Sequence, residues 1–331
     1  MFFRTLASIR FCSVLVCPVS VFLGLVFFGL FFPGIAQSCE EPGARAEESK
    51  IQETQGAGAE QSAGLWGELL GGGGSQGDVG QTKGYDFSSA GFILGYDKGL
   101  NDAIRFGASA GYLRVDLDSS DAQSGQEADT HTIGVYGSYD GAHDDFLPFY
   151  IDVAMTYSRG DIQLFRDGGT IGNTHSNSMT LSGEYGVATP CPKAFSLAPV
   201  VGLQSTVVFI DGYVEHGPGA LEIADSKNYF FSSTLGLRAT YDEKYVAASA
   251  WLLWSHEFSS DIKSAAERRP AGTDSPFESV RGVYGGADRT VSGASVTVRM
   301  AGAHSMTLSY GAEWGDQYLS YSWDVMIQYA F

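Results

Sequence analysis

Few residues of this chain have the types and spacing that catalysis needs. Six histidines occur, mostly at predicted loops or strand ends: His131, His143, His175, His216, His256 and His304. The best candidate acid–base pair is His256 with Glu257, because a general base must lie within hydrogen-bond reach of its partner. Adjacent strand residues point to opposite faces, however, so these two cannot share one site without a β-bulge. We therefore predict that the chain is not an enzyme, with an enzyme that uses His256 as the alternative.

Metal and cofactor motifs give no further candidate. The sequence contains no HExxH, CxxC or EF-hand pattern, and the run Gly71–Gly74 lacks the Lys-Ser/Thr of a phosphate-binding loop. Glycine in a strand more simply gives room for curvature or for a polar neighbour. Cys39 and Cys191 allow a disulfide in an oxidising compartment, but two distant cysteines do not predict one. We predict no metal site and no cofactor.

Charge and hydropathy exclude two classes of protein. Lys and Arg number 20 against 38 Asp and Glu, which gives a net charge of −18. Phosphate recognition needs clustered basic residues, so nucleic-acid binding is excluded. The mean hydropathy of −0.04 is too low for a bundle of membrane-spanning helices. It is compatible with membrane-spanning strands, in which apolar and polar residues alternate.

The clearest structural signal lies at residues 319–331, where two chemistries alternate with a period of two. One face carries Leu319, Tyr321, Trp323, Val325, Ile327, Tyr329 and Phe331. The other carries Ser320, Ser322, Asp324, Gln328 and Ala330, with only Met326 out of place. A period of two predicts a β-strand. An apolar stripe with nothing after it to cover it is typical of a membrane β-barrel, where lipid covers one face and a polar lumen meets the other.

The rest of the chain from residue 65 onward also predicts strands separated by turns. The twelve predicted strands are 65–77, 85–97, 103–117, 129–140, 146–162, 175–189, 195–209, 228–241, 244–259, 289–300, 304–315 and 319–331. Most are ten residues or longer, which suits crossing a bilayer at a tilt. The predicted connections are short after the second, fourth, sixth, eighth and tenth strands and long after the third, fifth, seventh and ninth. This alternation favours a barrel with short turns at one end and long loops at the other.

Two sets of side chains fit this barrel. Aromatic residues recur near the predicted strand ends, as expected for girdles at the lipid interfaces: Tyr85, Phe87, Tyr139, Phe146, Tyr157, Tyr229, Tyr241, Trp314, Tyr318 and Tyr329. Charged residues within strands share the inward parity, and we predict that they line a hydrated pore: Asp152, Glu184, Arg238, Arg299, Glu313 and Asp324. Facing lipid, a basic residue would cost about 2–4 kcal/mol. A specific ion or substrate role is the alternative for these charges.

The N-terminal region predicts export. Residues 1–36 combine Arg4 and Arg10, an apolar run over 11–32 and a small-residue cleavage site ending at Ala36, which together indicate a signal peptide. An uncleaved anchor is the alternative, because the apolar run is long. Residues 37–63 are polar and rich in small residues, so they form either a disordered linker or a short polar helix in the lumen.

Several segments resemble the C-terminal translocator domain of autotransporters, the type V secretion family. The resemblance covers about residues 64–331 and rests on LWGELL at 65–70 with the following GGGGSQGD, GYDFSSAGFILGYDKGL, IRFGASAGYLRVD, DGYVEHGPGALEI, WSHEF at 254–258 and the terminal Phe331. It implies an all-β fold, a twelve-stranded antiparallel transmembrane β-barrel in the outer membrane, with an N-terminal passenger and a linker helix in the pore. It also implies that Phe331, with Tyr329 and Ile327, is the signal read by the outer-membrane assembly machinery.

The chain departs from this family in its passenger. Only residues 37–63 are available, and no repeat or enzyme module fits in that length. The linker also lacks the paired Asn of members that cut themselves. We therefore expect a barrel over 64–331 that holds or translocates a short polar segment through its pore. A passive, porin-like pore or surface-structure protein is the first alternative. The expected partners are outer-membrane lipid, periplasmic chaperones, the assembly machinery and the inner-membrane secretion machinery, and we expect a monomer.

Overall fold

The computed structural model describes residues 63–79, 83–120, 124–143, 146–166, 168–190, 194–258, 266–280, 286–300 and 304–331. Within these ranges, no helix is long and apolar enough to span a bilayer. The predicted signal peptide, the polar segment up to residue 62, Cys39 and Cys191 lie outside the described residues.

The described residues form strands joined by turns and loops. In chain order the strands are β1 (Ala63–Gln76), β2 (Tyr85–Gly99), β3 (Ile104–Ser119), β4 (Ser124–His143), β5 (Phe146–Arg166), β6 (Thr170–Val187), β7 (Thr189–Pro190), β8 (Phe195–Ile210), β9 (Tyr213–Val214), β10 (Leu221–Ile223), β11 (Ser226–Asp242), β12 (Val246–Glu257), β13 (Ala266–Pro270), β14 (Glu278–Val280), β15 (Asp288–Met300), β16 (His304–Gly315) and β17 (Tyr318–Ala330).

Twelve of these strands close into an antiparallel barrel. The order around the ring is β1, β2, β3, β4, β5, β6, β8, β11, β12, β15, β16 and β17. The ring closes because β17 pairs with β1 over a continuous register from Gly64↔Ala330 to Gln76↔Tyr318. Closure gives every strand of the ring a paired neighbour on both sides, which a lipid-facing sheet requires. The predicted twelve-stranded antiparallel barrel is confirmed, and each predicted strand exists.

The two ends of the barrel differ. We call the end where β1 begins and β17 ends the turn rim. There Ala63 N–H donates to the Phe331 carbonyl at 3.1 Å, and Phe331 N–H donates back at 2.8 Å. We call the opposite end the loop rim, because the connections 211–225 and 258–287 leave from it. The predicted segregation of the two longest connections to one end agrees with this arrangement.

Two of the predicted long loops are wrong. The third connection shrinks to residues 120–123 and the fifth to 167–169, because β3 to β6 continue past their predicted ends. Gly168 and Gly169, with φ of 80° and 79°, make the second of these tight turns. The extra residues are mostly polar and lack sustained apolar alternation, so their pattern indicated loops. Their backbones nevertheless continue the pairing between strands. Each added residue pair forms hydrogen bonds between peptide groups that would otherwise bond to water.

The other two long loops build a second sheet, which we call the rim sheet. It has the order β14-β13-β10-β9 and was not predicted. It joins the barrel at β6, where Ile171 and His216 exchange backbone hydrogen bonds of 2.9 and 2.8 Å. The rim sheet therefore begins at the edge of β6 that β8 leaves free near the loop rim.

Candidate functional site

The strand registers divide all barrel side chains between two faces. The outward face exposes most of the large apolar residues, such as Ile133 at 61% and Leu308 at 55%. The opposite face encloses the lumen and bears buried Ser, Thr and charged side chains together with buried apolar ones, of which Tyr150, Ala198, Val200, Trp251, Leu253 and Val291 form one cluster. The six predicted pore-lining residues all share the lumenal parity of their strands. Their assignment as a pore lining is a statement about function, so it stays a prediction.

Three of the predicted residues come together near the turn rim. Arg238 Nη1 lies 2.7 Å from Glu184 Oε1, and the Tyr150 hydroxyl donates to the same carboxylate at 2.8 Å. Asp152, two residues along β5 from Tyr150, adds a further negative charge beside Arg238. These groups span β5, β6 and β11, so the interactions pass over β8, whose Val200 is only 2% exposed. Such a contact across an intervening strand forms on the concave, lumenal face, where β8 presents the small residues Ala198 and Gly202 between the two partners.

The other predicted charges lie in separate ion pairs. Arg299 lies 2.6 Å from Asp242, near the turn rim. Glu313 is held near the loop rim by Arg289 at 3.0 Å, which also reaches Glu257 at 3.4 Å. Such pairs keep a charged lumen compatible with a folded wall.

The sixth predicted residue, Asp324, lies near a second carboxylate rather than near an arginine. It lies on β17 beside Leu70 of β1, and Glu68 lies two residues further along β1 on the same lumenal face. Among the described residues, neither Asp324 nor Glu68 has a basic group within 4.0 Å. Two carboxylates on adjacent strands repel each other, so a proton or a cation stabilises them.

Large aromatic side chains lie flat against glycines of the neighbouring strand inside the lumen. A Cβ on Gly95 would lie 2.3 Å from the ring of Trp66, and one on Gly293 would lie 2.2 Å from Trp251. The same relation joins Gly107 to Tyr136 and Gly186 to Tyr150. Trp66 Nε1 also donates to the Tyr136 hydroxyl at 2.7 Å. These glycines therefore make space for aromatic rings along the wall, as the sequence argument for strand glycines expects.

The rim sheet also carries ion pairs. It lies beyond the band of exposed apolar side chains on the outward face of the barrel. Glu215, only 8% exposed, pairs with Arg166 of β5 and accepts from Leu221 N–H at 2.9 Å. Arg269 donates twice to Glu222, at 2.8 Å each, and these hydrogen bonds lower the pKa of that carboxyl. Both pairs join segments from different loops or strands, so they hold the rim sheet to itself and to the wall.

The three residues of the predicted assembly signal lie on the outward face. Phe331, Ile327 and Tyr329 are exposed by 61%, 58% and 46%, and the rings of Tyr329 and Phe331 are 5.8 Å apart. They are therefore placed to contact lipid or another protein at the turn rim.

The histidine singled out in the sequence faces away from its neighbour. His256 points outward, where its Nδ1 lies 2.8 Å from Asp288, while Glu257 points into the lumen toward Arg289. No bulge brings His256 and Glu257 together. Nothing in this arrangement tests the wider prediction that the chain is not an enzyme, and it stays a prediction.

Several lumenal residues escaped the sequence argument. Asp97 and Arg105 pair at 2.6 Å between β2 and β3, and Arg289, Glu257 and Glu68 are equally lumenal. Their signal was available, since each lies in a predicted strand at inward parity. The pattern Gly107-Ala108-Ser109-Ala110-Gly111 also matches GxSxG. It runs straight within β3, whereas a nucleophile elbow needs a sharp strand-to-helix turn, so we assign it no catalytic role.

Comparison with known proteins connects this barrel to a family. The family model described as the autotransporter beta-domain matches residues 65–311. An extracellular serine protease of Serratia marcescens is 26% identical over 261 residues, which are 76% of this chain and 24% of that protein. The chain thus spans about a quarter of the length of that curated relative.

Solved structures share the same fold. The translocator domain of the autotransporter NalP from Neisseria meningitidis aligns with a TM-score of 0.66 at 14% identity, over 85% of this chain and 92% of that one. The beta domain of the Bordetella autotransporter BrkA gives 0.58 at 19%, over 82% and 100%. The transport unit of AIDA-I from Escherichia coli gives 0.54 at 15%, over 81% and 90%.

Proposed function

Because the chain belongs to the autotransporter beta-domain family, we propose that its outer-membrane barrel holds or translocates the polar segment 37–63 through its lumen. One observation carries this proposal. Ala63 opens β1 at the turn rim, where Glu68 and Gln328 lie on the lumenal face while Leu65 and Ile327 on the outward face are apolar. A polar segment that arrives at this point finds hydrogen-bonding partners only on the lumenal side.

The rest of the route follows from the sequence. We propose that residues 1–36 direct export through the inner-membrane secretion machinery and that periplasmic chaperones then carry the chain. We further propose that Phe331, Tyr329 and Ile327 are read by the outer-membrane assembly machinery. Their outward exposure at one rim supports this role. On this proposal the turn rim faces the periplasm, the loop rim faces outside, and the barrel is a monomer in outer-membrane lipid.

Cysteine labelling in cells tests the position of the segment. With Cys39→Ser and Cys191→Ser, a cysteine is placed at Ser49 and treated with a membrane-impermeant maleimide before and after the outer membrane is permeabilised. Ser275→Cys on the loop-rim connection and Asp102→Cys at the turn rim are the outer and inner controls.

The labelling pattern decides between the outcomes. A translocated segment reacts in intact cells, as Ser275→Cys does. A segment held in the lumen reacts more slowly than Asp102→Cys even after permeabilisation. A Ser49→Cys chain that reacts only after permeabilisation, and as fast as Asp102→Cys, would overturn the proposal.

The passive pore is the second candidate, and the charged and polar side chains of the lumenal face favour it. Conductance of the barrel in planar bilayers, before and after deletion of residues 40–62, separates the two. Held in the lumen, the segment reduces conductance and its deletion raises it. Unchanged conductance indicates a passive pore.

A further inference from the structure

The lumen carries more negative than positive charge. The lumenal carboxylates of the barrel strands are Glu68, Asp97, Asp140, Asp152, Glu184, Asp242, Glu257, Glu313 and Asp324. The lumenal basic groups of the same strands are Arg105, Arg166, Arg238, Arg289 and Arg299. The described strands place no lysine on this face.

Each of these arginines already has a carboxylate partner. The pairs are Arg105 with Asp97 at 2.6 Å, Arg238 with Glu184 at 2.7 Å, Arg299 with Asp242 at 2.6 Å, Arg289 with Glu313 at 3.0 Å, and Arg166 with Glu215 of the rim sheet. A guanidinium that is paired with a carboxylate presents a weaker positive field to a passing anion than an unpaired one. The positive charge of each lumenal arginine is thus neutralised by its carboxylate partner.

Part of the excess negative charge lies between the rims. Glu68 lies five residues from the start of β1 and Asp324 lies six residues from the end of β17, so both stand inside the wall rather than at its mouth. Polypeptide walls that exclude much of the solvent focus the field of such charges along the lumen. Charged side chains inside a pore, rather than those on its outer surface, determine which ions enter.

From this distribution we propose that the lumen is a permeation path that selects small inorganic cations over anions. The selective element is the carboxylate pair Glu68 and Asp324. The paired arginines near the two rims hold the wall together and leave the net negative field of the lumen intact. Cation selectivity does not depend on transport of the N-terminal segment, so either property can fail without the other.

The test is the reversal potential of the full chain in a planar bilayer under a KCl gradient. We expect potassium to permeate several-fold better than chloride. The isosteric double variant Glu68→Gln/Asp324→Asn removes the two central charges and should lower this permeability ratio several-fold, toward one. An adequate control must lose the same net charge elsewhere.

Asp86 and Asp118 provide this control. They face each other across β2 and β3 on the outward side near the loop rim. The double variant Asp86→Asn/Asp118→Asn should keep the wild-type ratio. Heat-dependent gel mobility verifies that every variant has a folded barrel.

Four results would overturn the proposal. They are a chloride preference, no preference in the wild type, no conductance by the folded chain even after deletion of residues 40–62, and an equal change in both double variants.

Discussion

The barrel has a tall wall and a low wall, and their outward faces differ. The tall wall, β3 to β6, has strands of 16, 20, 21 and 18 residues, while β12, β15, β16 and β17 of the low wall have 12 or 13. At about 3.4 Å per residue and a tilt of about 40°, twelve residues rise about 30 Å and twenty-one about 55 Å. An apolar band is about 25 Å tall, so the low wall barely exceeds it whereas the tall wall extends well beyond it.

The chemistry of the outward-facing side chains shows where the apolar band ends. The low wall is apolar along most of its outward face, as Leu308, Tyr310 and Trp323 illustrate. The tall wall is apolar near the turn rim, but further up Arg114 lies 3.2 Å from Asp116, and Asp161 pairs with His175 at 2.6 Å. Strand length therefore does not mark the membrane in this protein, whereas outward side-chain chemistry does.

The largest effect should come from a charge placed in the apolar band. Leu308→Arg on the low wall should reduce the free energy of unfolding by about 2–4 kcal/mol, because the guanidinium would face lipid. Gln163→Arg faces outward in the upper part of the tall wall and should change the free energy of unfolding by less than about 0.5 kcal/mol. Denaturant titration in lipid vesicles measures both. Equal losses would show that lipid reaches the top of the tall wall.

A smaller effect is expected for charges on the lumenal face. Arg238→Met removes the partner of Glu184 and a donor to Tyr150, in a cluster where Arg238 is 18% exposed. Hydrogen bonds to charged groups contribute about 1.5–3 kcal/mol, so we expect a loss of about 2 kcal/mol. Arg114→Met, on the exposed outer face, should lose no more than about 1 kcal/mol. The same titration compares them, and a larger loss for Arg114→Met would contradict the comparison.

A substitution in the rim sheet should destabilise that sheet and leave the stability of the barrel unchanged. Glu215→Gln weakens the pair with Arg166 and the bond from Leu221 N–H, which hold the connection 211–225. Because Arg166 is 39% exposed, solvent screens this pair, and we expect a local loss of about 1 kcal/mol. Limited proteolysis should cut residues 211–225 faster while the unfolding midpoint of the barrel stays unchanged. Glu278→Gln, on exposed β14, is the control, and equal acceleration in it would refute the role of Glu215.

The smallest effect should appear with pH at the junction of the walls. Asp78 accepts from Gly84 N–H at 2.8 Å, Lys83 at 2.9 Å and the Ser120 hydroxyl at 3.0 Å, which lowers its pKa to about 2. A lowered pKa stabilises the folded loop above the ordinary value near 3.8, and that contribution is lost as pH falls through about 2. Amide exchange at Gly84, corrected for the intrinsic pH dependence, should lose protection in this window. Asp78→Asn should remove the pH dependence, and a persistent transition would assign it to another group.

The strands of the barrel were predictable because lipid on one side and a wet lumen on the other impose a period of two. In β17, for example, Trp323 faces outward and Asp324 faces the lumen, and this difference in environment explains their different chemistry. The upper parts of β4 and β5 were not predictable in this way, since both faces meet water above the band. Gln126 and Glu127 therefore look like loop residues, although they are paired in a ladder.

The sequence predicts which charged residues face the lumen, but it does not predict which of them form ion pairs with each other. Parity places Glu184 and Arg238 inside, yet β8 separates their strands, and only closure of the ring brings them to 2.7 Å. The rim sheet has no local signal either, because Glu222 and Arg269 come from loops 47 residues apart. Contacts between distant segments depend on the fold as a whole.

The seam between β1 and β17 fixes the timing of assembly. Its two strands are the most distant in sequence of all neighbours in the ring, so joining them carries the largest chain-entropy cost. Until β1 and β17 pair, β1 has one bare edge and the ring is open. On the proposal that the segment before Ala63 is held in the lumen, the pairing of this seam is the step that encloses it.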